Sequence, residues 1–587
     1  MKITISELRE YWDIMKQYYL PEQRKMRLLD STDRGDLWKA LAVKFPEYQI
    51  LPDTNWINYV KNNILASIYT VTKCADVMPT SEQDKEIVTH INIALRRIWN
   101  LSKVGYYQFQ AGERAALLNL GVTQVGWDDT LTGGSGDAFY KGNVCLKNHS
   151  PMKYMRDPFA PDLESSGYAC VFDTYHKSVF KKDPKYKDAF AQYEAENKDK
   201  SPEPAPEFNS SVPKSSAKGY YLLTIFWVKD DDGNVHEIHT INNEKILWKK
   251  NNIKPNTIPL AELYCDLPAE ALIGSSPCAK IFANNVAANL MDSIALTSEY
   301  KNQRPPKFIS NGSGLNIQAF NKHANDADYT FIVNGDASKA VHYHEFPQPS
   351  PTLPQLKQSI ERGMEITSGV DGRYTGRDTG SIITTGGTEE MLNRVTLIDT
   401  PKIMNYEHYT KRLTQLILAN FIEYCPKRKF FYKKPNTNTW DTIEVEFSKI
   451  KAETLFDYEI DISSELPKNR QRIAAMANML MEKQMQYNQQ GGGVQLITEE
   501  EWLMFQDLPM KEYMLERMGI QRMQSAVEDV SQVLFGYADL VKKGMKPDDA
   551  ILATASALEN RRKGMIPQEE VLPALEQQNM MEGIPNL

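Results

Sequence analysis

The chain has 587 residues, 41% hydrophobic and 25% charged, long enough for about three or four structural units and too ordinary in composition for wholesale disorder or a fibrous form. With 68 Lys plus Arg against 76 Asp plus Glu the formal charge is -8, so bulk electrostatics argue against tight nucleic-acid binding but not against a polyanion passing by without sticking. No apolar run approaches the ~20 residues that cross a bilayer, no signal-peptide core follows Met1, and the dispersed cysteines Cys74, Cys145, Cys170, Cys265, Cys278 and Cys425 fit neither a disulfide framework nor a zinc site; a folded, water-soluble chain of the reducing cytoplasm is expected.

From Ile5 to about Leu120 apolar residues recur at helical spacings, as in Ile64, Ile68 and Val71 and again in Ile91, Leu95, Ile98 and Leu101. This predicts a helical layer punctuated by Pro21, Pro46, Pro52 and Pro79. Around Gly121 the texture changes to β-like runs, Val122–Trp127, Gly142–Leu146 and Tyr168–Thr174, with the turn Gly133-Gly134-Ser135-Gly136 between the first two. Residues 181–219 are rich in Lys, Glu, Asp, Pro and Ser and read as an exposed insertion within a domain. A three-stranded meander follows, Tyr220–Lys229, Val235–Ile241 and Ile246–Lys250, its first turn marked by Asp232-Gly233.

Residues 277–300 form a long helix with Pro277 near its start and Pro305-Pro306 past its end. Its apolar stripe, Phe282, Val286, Leu290 and Ile294, alternates with Ala283, Ala287, Ala288 and Ala295, small residues that let a neighbouring helix approach closely. A short β-rich module, Phe308–Phe346, separates it from a second helix over Thr352–Thr367. A glycine- and hydroxyl-rich stretch, Ser368–Gly387, predicts a mobile loop. The helix from Glu389 to about Tyr424 must kink or restart at Pro401. Strands at Lys429–Tyr432, Thr442–Phe447 and Phe456–Ile462 precede a stretch that is almost wholly helical from Pro467 onward.

Catalytic motifs are missing where they would be sought. Neither Gly133–Gly136 nor Gly372–Gly387 supplies G-x-x-x-x-G-K-[ST], and the second lies between helices with no preceding strand, which is not a dinucleotide-binding context. His236-Glu237-Ile238-His239 lacks zinc-protease spacing and on a strand sends its histidines to opposite faces; His342 and His344 share a face but have no further ligand at metal spacing and read as a solvated β edge. Asp230–Asp232 is explained by its turn. There is no G-x-S-x-G, and the methionines gathered between Met476 and Met523 suit adaptable helix packing. By subtraction this is a protein of interfaces.

The order of elements resembles the portal, or head-tail connector, proteins of tailed bacteriophages, in particular the podovirus-type and related divergent portals. The carrying residues are Ile258-Pro259-Leu260, Leu267-Pro268 and Leu272–Pro277, which look like the approach to a stem helix at Cys278–Tyr300 with Asn284, Asn289 and Ser293 at polar positions. Asn302–Phe308 looks like the passage from stem to clip, Ile366–Val370 with Thr375-Gly376 and Thr384–Gly387 like the tunnel loop, and Glu389–Arg394 like the opening of the long wing helix. Asp457–Ile460, Leu466-Pro467-Lys468 and Ile497–Glu501 look like the last wing strand and the helices beyond it.

The resemblance implies a mixed α+β, mainly helical portal fold assembling as a ring. Its regions would be a wing over 1–271 with the exposed insertion 181–219, a first stem helix over 272–302, a clip over 303–351, a second stem helix over 352–368, a tunnel loop over 369–387, the long helix and remaining wing over 388–500, and a helical crown over 501–587. It implies a dodecameric homo-oligomer at one capsid vertex of the virion, assembled in the host cytoplasm, that passes double-stranded DNA during packaging and ejection. Its partners would be the terminase large subunit, the major capsid and scaffolding proteins and the head-tail adaptor, with no membrane, cofactor, metal or catalytic residue. The loop residues expected to meet DNA are Gly372, Arg373, Thr375, Gly376, Arg377, Gly380, Ser381, Thr384 and Gly386, and the basic candidates at stem and clip are Lys280, Lys301, Arg304 and Lys307. Another structural ring, such as an adaptor or scaffold component, and an unrecognised cytoplasmic enzyme are the alternatives.

Overall fold

The computed structural model describes residues 3–506 except 80–84, 137–138, 198–218, 269–271, 304, 311, 324–325, 327–329, 345, 347–348, 371–384, 434–439, 451–456, 461, 463–466 and 490–495, with a few positions beyond 506. The fold is mixed α+β. The chain forms two compact units, Met1–Phe430 with Thr442–Lys468, and Phe431–Asp441 with Asn469–Leu587. The second therefore begins inside the stretch 388–500 that the sequence assigns to long helix and wing.

The first unit opens with helix α1 (Ile5–Asp33), started by a reciprocal cap in which the Glu7 N–H donates to the Thr4 hydroxyl and the Thr4 N–H donates to the Glu7 carboxylate. Pro21 does not punctuate it. The helix runs through, losing one backbone hydrogen bond while Leu8, Trp12, Met15, Tyr19, Met26 and Leu29 bury along one face. Helices α2 (Leu37–Leu41) and α3 (Trp56–Ser67), strand β1 (Asp76–Met78), and helices α4 (Lys85–Leu101) and α5 (Val104–Leu118) complete the predicted helical layer.

The β-structure is more extensive than its sequence signals. Strands β2 (Leu120–Gly133) and β3 (Tyr140–His149) form a long hairpin. Next come β4 (Tyr154–Arg156) and β5 (Tyr168–His176), helices α6 (Lys177–Lys182) and α7 (Lys187–Glu196), and the meander β6 (Tyr220–Lys229), β7 (Val235–Ile241) and β8 (Lys245–Lys250). The meander extends into a five-stranded antiparallel sheet in the order β4-β5-β6-β7-β8, with Tyr168 opposite Val228 and Leu223 opposite Ile241. Strand β9 (Leu260–Tyr264) returns to the hairpin to make the sheet β3-β2-β9. The two sheets are joined where the Tyr154 hydroxyl donates to Glu262 at 2.6 Å and Arg156 Nε stands 3.2 Å from the same carboxylate.

The expectation of an exposed insertion over 181–219 is corrected for residues 181–197. There α7 and the turn before it place Tyr186, Phe190 and Tyr193 with Phe180 of α6 against Leu223, Ile241 and Leu247 of the sheet, and the rings of Phe180 and Phe190 stack at 5.1 Å. The charged composition outweighed Tyr186, Phe190 and Tyr193, three aromatics that the sequence shows at helical spacing. Residues 198–218 of that insertion lie outside the described residues.

Helix α8 (Pro277–Gln303) leads into a module with strand β10 (Lys307–Ile309), helix α9 (Ile317–His323) and strand β11 (Val341–Tyr343), then into helix α10 (Leu353–Ser368). Among the described residues the module's β-structure is only the short pair β10-β11, so β-rich is too strong a description. Helix α11 (Thr385–Tyr424) begins earlier than the predicted loop boundary at 387 and continues helical through Pro401. It buries Tyr406, Tyr409, Leu413, Ile417 and Phe421 and packs on the smaller sheet, while Tyr406 turns to Tyr69 and the Val71 carbonyl. Tyr409 shares a 2.6 Å hydrogen bond with Thr123, and Phe421 meets Trp127 edge-to-face. Strands β12 (Arg428–Lys433) and β13 (Trp440–Val445) form a hairpin, and β14 (Asp457–Glu459) pairs antiparallel with β1. In the second unit, which takes helix α12 (Pro467–Gln489) from Asn469 on, α12 and α13 (Glu499–Phe505) are tied by Trp502 Nε1, which donates to Asn478 at 2.7 Å, and by Gln484, which accepts from the Ile497 N–H.

Candidate functional site: the helix pair and its flanking segments

Helix α8 starts where Gly274, at φ +75, turns the chain back beside α5. Ser276 caps the new helix by accepting from the Ala279 N–H, and Pro277 fills the first helical position, where no N–H is needed. The Ser276 hydroxyl donates to the Leu117 carbonyl, and Asn119 donates to the Ile273 and Asp266 carbonyls, so the end of α5 fixes the start of α8.

The face that α8 buries begins apolar, at Cys278 and Ile281, and is mostly polar beyond them. Asn285, Asn289, Ser293 and Thr297, spaced one turn apart, are all buried and bond the segment 49–56 that leads into α3. Asn285 accepts from the Trp56 N–H, Asn289 accepts from the Thr54 N–H and donates to the Thr54 carbonyl, Ser293 donates to the Ile50 carbonyl, and Thr297 accepts from the Ile50 N–H. The side chains thus supply partners to a segment that pairs with no strand and whose own backbone bonds include the Trp56 N–H to the Thr54 carbonyl. The stripe read from the sequence lies on the other side. Phe282 and Val286 are half-buried, while Leu290 and Ile294 are 39% and 46% exposed.

Helix α10 packs against α8 in the antiparallel sense, because Lys357 meets Asp292 at 2.6 Å while Gly363, further along α10, faces Asn284, further back on α8. The Asp292 carboxylate beside it raises the Lys357 ammonium above its ordinary value. Leu356 and Ile366 of α10 are exposed, the latter 73%. At the far end the module encloses Phe320, ring against ring with Phe331, and leaves Phe308 and Ile332 in the open.

The basic candidates do not form one cluster of free charge. Lys280 is paired with Asp266 at 2.6 Å, Lys301 sits 4.1 Å above the Tyr48 ring, and Lys307 sits 4.8 Å above the Phe320 ring. An ion pair or an aromatic face engages each one within the chain. Arg304 lies outside the described residues, as do Gly372, Arg373, Thr375, Gly376, Arg377, Gly380, Ser381 and Thr384. Gly386 falls in the first turn of α11 rather than in the loop. The polar ladder was legible in part, through Asn289 and Ser293; the four-residue spacing from Asn285 to Thr297 is the signal that completes it.

His236 bonds Asp230 and His239 bonds Glu237 and the Tyr186 hydroxyl, so the two histidines serve different neighbourhoods. Among the described residues no group of His, Cys, Asp and Glu is placed to hold a metal ion, and no helix is long and apolar enough to cross a membrane. No protein-family model and no curated protein matches the chain.

Proposed function

We propose that the chain is the portal subunit of a tailed bacteriophage, forming a dodecameric ring at one capsid vertex. The observation that carries this reading is the antiparallel pair α8 and α10, which encloses a small module and shows apolar residues on its outer surface. Such residues on a helix pair mark an association surface, and in a cyclic ring each subunit covers its neighbour's through a heterologous contact. The polar ladder supports it by anchoring α8 to its own subunit without using the apolar stripe. In this reading α8 and α10 are the stem and residues 303–351 the clip, which docks the terminase large subunit during filling and the head-tail adaptor afterwards. The glycine-rich stretch faces the DNA, the acidic chain lets the duplex slide, and nucleotide hydrolysis belongs to the motor.

Native mass spectrometry with negative-stain microscopy tests the proposal. A ring of about twelve chain masses with a central hole wide enough for a duplex is expected. A folded monomer that persists at high concentration and in the presence of scaffolding protein overturns it.

A further inference from the structure

We infer that the aromatic surface along the first half of α1 is a docking site for an arginine-bearing segment of another polypeptide. Two ring pairs build it. Tyr11 of α1 stacks on Tyr168 of β5 with centroids 4.2 Å apart, and Tyr18, two turns further along α1, meets Phe159 edge-to-face at 5.4 Å. The pairs are contiguous, since Asp157, which accepts from the Phe159 N–H, also stands beside the Tyr168 hydroxyl. Phe159 is 70% exposed and Tyr18 46%, so both rings face solvent rather than a core.

The fold holds them there. Phe159 sits in the turn between β4 and β5, and that turn is fixed from beneath by the buried Arg156. Its guanidinium donates to the Ala160 carbonyl at 2.6 Å and to the Pro161 carbonyl at 3.3 Å while pairing with Glu262. A cluster of aromatic rings kept in water on a fixed support is what an association surface carries, because a partner that covers it removes apolar area from solvent.

Charge selects the partner. Burial and the carboxylates of Glu7, Glu10, Asp231 and Asp157 raise the Tyr11 phenol, so the charge around the stacked pair is negative. Glu10 and Asp231 are exposed. Lys25, on the same line of α1, is held by Glu22 at 2.8 Å. Rings bordered by carboxylates suit a guanidinium, whose plane lies on an aromatic face while its N–H groups donate to the acid; an ammonium is more strongly hydrated and stacks less well. An acidic segment is repelled. Tyr11 and Tyr18 stand about 10 Å apart along the helix, which is the reach of about three extended residues. A peptide segment spans both ring pairs, and a single small cation only one.

The test is calorimetric titration of the full-length protein with hexa-arginine, hexalysine and hexaglutamate. Saturable binding of hexa-arginine is expected, weaker for hexalysine and absent for hexaglutamate. Phe159→Ala and Tyr18→Ala each weaken it by about fivefold with the net charge unchanged. Phe139→Ala, which removes a ring 62% exposed between β2 and β3, does not. Glu10→Gln combined with Asp231→Asn also weakens it. The site is overturned if hexa-arginine does not saturate by about 1 mM, or if the Phe159 and Tyr18 variants bind as the parent does, which leaves only the bulk charge of the chain. Variants that lose self-association yet keep the peptide make the surface a contact between copies and overturn it too.

Discussion

At Asn289 a single side chain satisfies both backbone groups of Thr54, accepting from its N–H at 2.6 Å and donating to its carbonyl at 3.0 Å. Asn289→Leu strands the Thr54 N–H, while the carbonyl keeps the Trp56 N–H at 3.2 Å, and is expected to lower the unfolding free energy by about 1–3 kcal/mol. The urea midpoint falls with the slope unchanged. Leu290→Asn, one position along but on the exposed side, stays within about 0.5 kcal/mol. His149 makes a different prediction. Burial, helped by Lys147 and Arg114, pushes its imidazole from 6.5 down to about 3, and the neutral ring bonds Gln124 at 2.8 Å. The unfolded chain therefore takes up a proton near pH 6.5 that the folded chain refuses. Stability from this residue is complete above pH 6.5 and is lost as pH falls toward 3, at up to about 1.4 kcal/mol per unit. His149→Gln is expected to flatten the slope of stability between pH 6.5 and 5. The sequence marked Asn289 as a polar position of the helix but not its partner, and it gave no sign of the role of His149, since a polar residue on a helix or strand reads as solvated until its neighbours are known.

Periodicity located most elements because burial imposes it. The helices at 277–303 and 353–368 and the strands of the meander stand within a few residues of their predicted bounds. What periodicity could not give was which face an element buries when both are suitable. Helix α8 has an apolar stripe and a polar one, and segment 49–56, some 230 residues away in sequence, selects the polar stripe by needing hydrogen bonds. Composition misled at α6 and α7, where lysines and glutamates outnumber the aromatics that fix the helices to the sheet. Phe190, fully buried against Phe180 and Tyr221, measures that attachment. Phe190→Ala is expected to cost about 3–5 kcal/mol, whereas a dispensable insertion would tolerate it; thermal melts separate the two.

For the whole molecule, the exposed residues of α8 and α10 are the feature a ring would use. Leu290→Asp with Ile294→Asp places two carboxylates on a surface that is open in the single chain. The variant is expected to keep the circular dichroism and melting of the folded subunit while native mass spectrometry shows monomer in place of ring. A ring that assembles unchanged would assign the contact to another surface. The sequence by itself determined the succession of elements and the anchoring of their ends, because hydrophobic period, proline and glycine act within a few residues of themselves. It determined an acidic chain without a membrane-crossing helix for the same local reason. Only the tertiary structure decided which stripe of α8 turns inward, that residues 181–197 fold onto the sheet, and that Lys280, Lys301 and Lys307 are engaged within the chain. Each of those outcomes depends on groups far apart in sequence, whose mutual burial and pairing no local pattern records.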